Sequence, residues 1–229
     1  MSDGAGPTAN DTATNTGNAY LAGDTLTGAN PLTLNSTYTW TNDATRGTAL
    51  TLDGITGYGA ASNPIVNTVP GAQIYTPQSF TVSGWVNLTS LPTRNAAVAT
   101  QNGTTNSGFY LGYNYARANK PAWDFYFATA DTINPGFKDA TTSTASTGWT
   151  HLVGVYNAAT KTAQLYVNGA LAATATGITE WQSTGAFTVG RDLYNGNPTD
   201  YFPGEISNLQ AFNYALSAPQ ITALHDQIQ

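Results

Sequence analysis

Residues 148–176, GWTHLVGVYNAATKTAQLYVNGALAATAT, decide the fold class. Trp149 to Asn157, Lys161 to Val167 and Leu171 to Thr176 each read as a short strand. The last two are joined by Asn168-Gly169, the pair favoured in a two-residue type I′ turn because both central residues take φ > 0. Side chains alternate along a strand, so His151 shares a face with Trp149, Val153 and Val155. That neighbourhood predicts a packed, hydrogen-bonded histidine rather than an acid/base or a metal ligand. His225 falls in a C-terminal helix, where exposure is expected. The two histidines have no His-x-His or His-x-x-x-His spacing, so zinc has no support.

The same pattern extends in both directions. Ala49 to Leu52 precede an Asp53-Gly54 turn. Phe80, Val82, Gly84 and Val86 alternate with Thr81, Ser83, Trp85 and Asn87, and apolar members on both sides predict a strand buried on both faces. Further strands are expected over 96–101, 108–113, 123–129, 187–191 and 206–214, separated by Asn102-Gly103, Asn134-Pro135-Gly136 and Asn195-Gly196-Asn197-Pro198. Residues 1–35 read as loop-rich, with a weak strand near Leu32–Leu34. One helix closes the chain: Ser217 caps it, Gln220 completes a capping box, Pro219 fits the first turn, and Ile221, Leu224 and Ile228 share a face. The result is one all-β domain over 1–229, a two-sheet antiparallel jelly-roll sandwich with a short C-terminal helix.

Composition narrows the function. Only 9% of the 229 residues are charged, against about 25% in an ordinary soluble domain. The net charge of −6 and the scarcity of Lys and Arg argue against nucleic acid. No window approaches the roughly 18 apolar residues of a spanning helix, so membrane insertion is not expected. With no cysteine, disulfides, thiolate catalysis and Cys-ligated zinc are excluded. The 41% hydrophobic and 11% aromatic content suffices for a core.

Three segments carry a resemblance: SFTVSGWVNLTSLPTRNAAVATQNG at 79–103, GWTHLVGVYNAATKTAQLYVNG at 148–169, and YFPGEISNLQAFNYALSAPQITALH at 201–225. They resemble laminin-G-like (LamG) jelly-roll domains of the concanavalin-A-like lectin and glucanase superfamily, as in large secreted actinomycete proteins. The resemblance implies a β-sandwich, a secreted, extracellular setting within a larger multidomain chain, and a binding or adhesive role. Two departures stand out. SDGAG at 2–6 resembles only the end of the family's first strand, which implies a cut there or a strand supplied by another chain. Ile206-Ser207-Asn208 stands where relatives carry Ile-Asp-Asp, acids that can help hold a structural calcium; Asp3 remains.

Glycoside hydrolysis needs two carboxyls facing each other across a sugar. The only glutamates, Glu180 and Glu205, lack an acidic partner at i+2 and read as solvated surface groups. Calcium takes oxygen ligands, and loop 191–201 offers Asp192, Asn195, Asn197 and Asp200. Asp192 and Asp200 are the expected metal ligands. The alternative is an Asx-rich turn that satisfies its own backbone. Sugar binding wants aromatic platforms flanked by polar groups. Tyr113, Tyr115, Arg117 and Trp123 form one candidate group; Tyr194, Asn195 and Tyr201 form another, with Arg191 as a fork donor. Core packing competes for Trp123, which shares a strand face with Phe125 and Phe127. Trp40, Trp85 and Trp149 are expected in the core, and Trp181 as either an edge lid or an exposed platform. The sequence thus reads as a non-catalytic binding module for carbohydrate or a protein surface through rim loops. The alternatives are a structural or assembly domain and, third, a glycoside hydrolase.

Overall fold

The computed structural model describes residues 4–10, 31–35, 37–61, 76–115 and 119–228. In chain order the strands are β1 (Thr8–Ala9), β2 (Leu32–Leu34), β3 (Tyr38–Asp43), β4 (Gly47–Asp53), β5 (Gly59–Ala61) and β6 (Phe80–Leu88). There follow β7 (Ala96–Asn102), β8 (Ser107–Asn114), β9 (Ala122–Ala128), β10 (Phe137–Thr141), β11 (Gly148–Asn157) and β12 (Thr162–Val167). The last are β13 (Ala170–Thr176), β14 (Phe187–Val189), β15 (Asp192–Tyr194), β16 (Asn197–Thr199) and β17 (Pro203–Phe212), then helix α1 (Ala218–Asp226).

Two antiparallel sheets form the sandwich. One has eight strands in the order β1-β2-β5-β14-β7-β8-β9-β10; the other has seven, β13-β12-β11-β6-β17-β4-β3. A two-stranded hairpin, β15-β16, stands apart from both. The jelly-roll expectation is met. At the predicted turn Asn168 has φ 49 and Gly169 φ 76, the left-handed pair the sequence called for.

The core lies between the sheets. Phe109, Leu111 and Tyr113 of β8 and Trp123, Phe125 and Phe127 of β9 meet Phe80, Val82, Leu152, Tyr156 and Leu165 of the opposite sheet. Phe80 and Phe109 approach to 4.8 Å between ring centroids. Gly154 makes the inter-sheet contact possible: a β-carbon there would stand 2.7 Å from the Phe125 ring.

The outer face of the seven-stranded sheet is also covered, which explains why β6 reads apolar on both sides. Val153, Val155 and Tyr166 pack under Leu216 and Ile221 of the helix region. The helix begins as expected, with Gln220 Oε1 accepting the Ser217 N–H at 2.9 Å. His151 is buried there, 2.9 Å from Ser83 Oγ through Nε2 and stacked on Trp85 at 5.1 Å. His225 is not the exposed residue expected from sequence. Its side chain is 16% exposed, and its ring stacks on Trp85 at 5.4 Å. Trp85 is buried beneath it on this outer face, with the Arg46 guanidinium 4.3 Å above its ring. Trp40 and Trp149 are both half-buried: Trp40 packs against the core while its indole N–H donates to Gly6 O at 3.1 Å, and Trp149 lies outside the core with its indole N–H on Asp43 Oδ2 at 3.1 Å.

Candidate functional site

Hairpin β15–β16 lies over the outer face of the eight-stranded sheet. Its tip is fixed by amides. Asn134 N–H donates to Asn195 Oδ1 at 2.7 Å and Asn195 Nδ2 returns a bond to Asn134 Oδ1 at 2.8 Å. Asn195 N–H also donates to Asn106 Oδ1 at 3.0 Å. Asp131 in turn holds the 104–106 loop through three backbone N–H groups, each at 2.7–2.8 Å. Asn195 is therefore spent on positioning the hairpin, and Asn197 Nδ2 is turned onto Asn195 O.

Under the hairpin the sheet face is aromatic and acidic. Tyr110 and Tyr126 stack at 4.4 Å with only 12° between planes. Phe137 meets Tyr126 edge-on at 5.2 Å, and Tyr194 covers Phe137 at 6.0 Å. Tyr126 donates to Asp192 Oδ2 at 2.9 Å, while Asp192 Oδ1 is buried without a hydrogen bond. Burial, then the neighbouring charge of Asp200, raises the Asp192 carboxyl to about 7. Asp200 is held less severely: it too is raised by burial, but Thr199, Asn95 and Arg94 act the other way. Tyr110 lies among Asp200, Asp192 and Asp124, and burial with these charges pushes its hydroxyl well up. The two predicted metal ligands thus stand together, but Asn195 and Asn197 do not join them. Among the described residues no group of three or more His, Cys, Asp or Glu side chains forms a metal cluster.

At the end of the sandwich where the hairpin is rooted, the Arg191 guanidinium lies 4.0 Å over the Tyr58 ring. Tyr201 meets Tyr58 at 6.5 Å, tilted by 59°. All three are half-buried. Arg94 fixes this rim by donating to Tyr201 O at 2.7 Å and to Gly54 O. Asn95 binds it to the next loop, accepting the Tyr115 N–H at 3.0 Å while its side chain bonds Asp200. Arg191, Asp200 and Tyr201 are therefore brought to one rim, with Tyr58 and Asn95 added; Tyr115 is tied to it through its backbone N–H, while its side chain packs against the core.

Tyr113 and Trp123 are corrections. They are 0% and 2% exposed and pack edge-to-face in the core at 5.9 Å, so neither ring offers a face to a ligand. Arg117 lies outside the described residues, as does Asp3. Glu180 is a further correction: its two carboxyl oxygens are buried, not solvated. Glu205 accepts from Thr41 and Asn87, both at 2.7 Å, on the other sheet. Trp181 is an edge lid whose indole donates to Ala128 O at 3.0 Å. Sequence reading missed Tyr110 and Tyr126, although the signal existed. Asp124 shares their face of the β8–β9 pair, whereas the opposite face is wholly apolar.

A family model described as the concanavalin A-like lectin/glucanases superfamily matches residues 59–222. The chain belongs to this superfamily. No curated protein sequence matched the chain. Solved structures did. Domain 4 of AbnA, a GH43 extracellular arabinanase from Geobacillus stearothermophilus in complex with arabinotriose, is 20% identical over 85% of this chain and 82% of that one, with TM-score 0.60. A Trypanosoma rangeli sialidase is 15% identical over 95% of this chain but 32% of its own, with TM-score 0.63. The receptor binding domain of botulinum neurotoxin D is 14% identical over 85% and 47%, with TM-score 0.57. At these identities the likeness is one of fold. The described residues include no helix long and apolar enough to cross a membrane.

Proposed function

We propose that this chain is a non-catalytic, extracellular carbohydrate-binding module whose ligand is held at the rim formed by Tyr58, Arg191 and Tyr201. The observation that carries the reading is the Arg191 guanidinium stacked on Tyr58 beside the tilted Tyr201 ring. A stacked guanidinium is pre-oriented; Arg191 Nε is buried, which leaves the two Nη groups for hydroxyls or a sugar carboxylate. Among the described residues no carboxylate forms an ion pair with it. The tyrosine faces supply what the CH face of a sugar ring needs, and their hydroxyls and Asp200 supply polar partners. The solved complex of a like-folded domain with arabinotriose supports the class of ligand.

The test is binding to an array of glycans and polysaccharides, with calcium and with EDTA. Arg191→Ala and Tyr201→Ala should each weaken binding by about tenfold or more, equivalent to about 1.4 kcal/mol, with thermal unfolding little changed. Full binding by both variants sinks the rim assignment. Loss of binding in EDTA, reproduced by Asp192→Asn, assigns the Asp192–Asp200 pair to a calcium ion that supports the site.

A further inference from the structure

Helix α1 is fastened to the outer face of the seven-stranded sheet by two different kinds of contact. Its entry is anchored by hydrogen bonds: Thr81 Oγ1 donates to Tyr214 O at 2.9 Å and accepts the Leu216 N–H at 3.0 Å. Beyond Leu216 the helix rests on Ile221, packed with Val153, Val155 and Tyr166, on the half-buried Leu224, and on the ring of His225. That ring lies 5.7 Å from the His151 ring, and Trp85 stacks on both, at 5.4 Å and 5.1 Å. A β-carbon on Gly169 would stand 3.3 Å from it, so the Asn168-Gly169 turn closes the other side. An isolated helix this short is marginal in water, so α1 keeps its hydrogen bonds only while it is docked.

The seat of His151 suits only a neutral ring. Nε2 is 2.9 Å from Ser83 Oγ, and Nδ1 is buried with no hydrogen bond. Protonation makes both ring nitrogens donors, and the Nδ1–H would then be buried without an acceptor. The new charge would also stand among cations. Arg46 reaches over Trp85 from the β3–β4 turn, and His225 faces His151 from the helix. The acids of those two elements are engaged: Asp43 Oδ1 accepts the Thr45 and Arg46 N–H groups and lies 3.4 Å from the Arg46 guanidinium, and Asp226 Oδ1 is 3.0 Å from His225 Nδ1. On β17, Glu205 accepts from Thr41 and Asn87. On β12, burial pushes the Tyr166 hydroxyl up, so it stays neutral. Burial, then the charge of His225, correspondingly lowers His151 to about 4. The Arg46 turn is pinned by Ser207 Oγ and Asn208 Nδ2, which donate to Arg46 O. The cover that can lift from His151 without parting the sheets is therefore the helix.

We propose that α1 is an acid-released latch: protonation of His151 drives His225 and the helix off the sheet, with Leu216 as the pivot, and uncovers the apolar strip of Val153, Val155 and Tyr166. The latch lies on the other sheet from the Asp192–Asp200 pair and does not depend on the glycan reading. The sign follows from linkage. Lifting the helix lets water reach His151 and returns it towards its ordinary 6.5, so the open form binds a proton that the docked form refuses, and opening is favoured as pH falls from 6.5 towards 4.

The experiment is amide hydrogen exchange of the whole chain, read by mass spectrometry from pH 7 to pH 4, with each rate divided by the intrinsic exchange rate at that pH. Amides of α1 should open about a hundredfold more at pH 4 than at pH 7, while those of β8 and β9 keep their protection. His151→Gln can still bond Ser83 and never ionises, so its helix should open equally at both pH values. No increase in the parent chain overturns the proposal. An equal increase in β8 and β9 also overturns it, because it reports unfolding of the whole sandwich, and so does an increase that survives His151→Gln. If His151→Gln does not fold, NMR titration of His151 decides: Ile221→Ala loosens the helix and should lift the midpoint from about 4 towards 6.5, and an unmoved midpoint is the overturning result.

Discussion

Replacing Asp192 by Asn should stabilise the protein above neutral pH. Asp192 is 2% exposed, and burial followed by the Asp200 charge lifts its pKa from 3.8 to about 7. One pKa unit is worth about 1.4 kcal/mol, so full ionisation in the folded state costs about 4 kcal/mol relative to the unfolded chain. The sign follows from linkage. An acid whose folded pKa is raised contributes its stability below the unfolded value of 3.8 and loses it as pH rises through about 7. An asparagine never ionises. Its Oδ1 can still accept from Tyr126. Urea unfolding of both chains in EDTA, from pH 4 to pH 8, reads the difference. Between those limits the parent should lose about 4 kcal/mol more than Asp192→Asn. Parallel curves, or a variant less stable than the parent at pH 8, would refute the reasoning.

Other predictions use neighbouring features. Burial, then the charge of His225, lowers His151 from 6.5 to about 4, so its contribution is present above 6.5 and lost as pH falls towards 4; His151→Gln should remove about 3 kcal/mol of acid sensitivity in urea titrations. This acts against the Asp192 effect over the same pH range, so the two single variants should tilt the stability profile in opposite directions. Trp123→Ala empties a core position and should cost about 3–5 kcal/mol in denaturant unfolding; lost glycan affinity at unchanged stability would contradict its burial. Gly154→Ala should cost about 1–3 kcal/mol from overpacking, since its β-carbon meets the Phe125 ring; a neutral result by calorimetry would show that the sheets can separate there.

Local rules made much of the fold legible. The Asn168-Gly169 turn, the Gln220 cap and the alternating strands all rest on residues close in sequence. The small elements β5, β10, β15 and β16 were not legible, because they are short and take their form from what they pair with or cover. The site was legible only in part. Asp192, Asp200, Arg191 and Tyr201 share one loop, so their proximity could be read. Tyr58, distant in the chain, could not be assigned to Arg191 without the tertiary contact.

By itself the sequence determined a cysteine-free, weakly charged β-sandwich with a terminal helix, because composition, alternation and turn chemistry act over a few residues. Only the tertiary structure decided which aromatic face of β8 and β9 became core, sending Tyr113 and Trp123 inward and Tyr110 and Tyr126 outward beneath the hairpin. It alone turned Glu180 from an apparent surface acid into a buried one. The physical reason is the same in each case. Burial and charge proximity depend on which strand or loop lies across a residue, and here those partners come from distant parts of the chain.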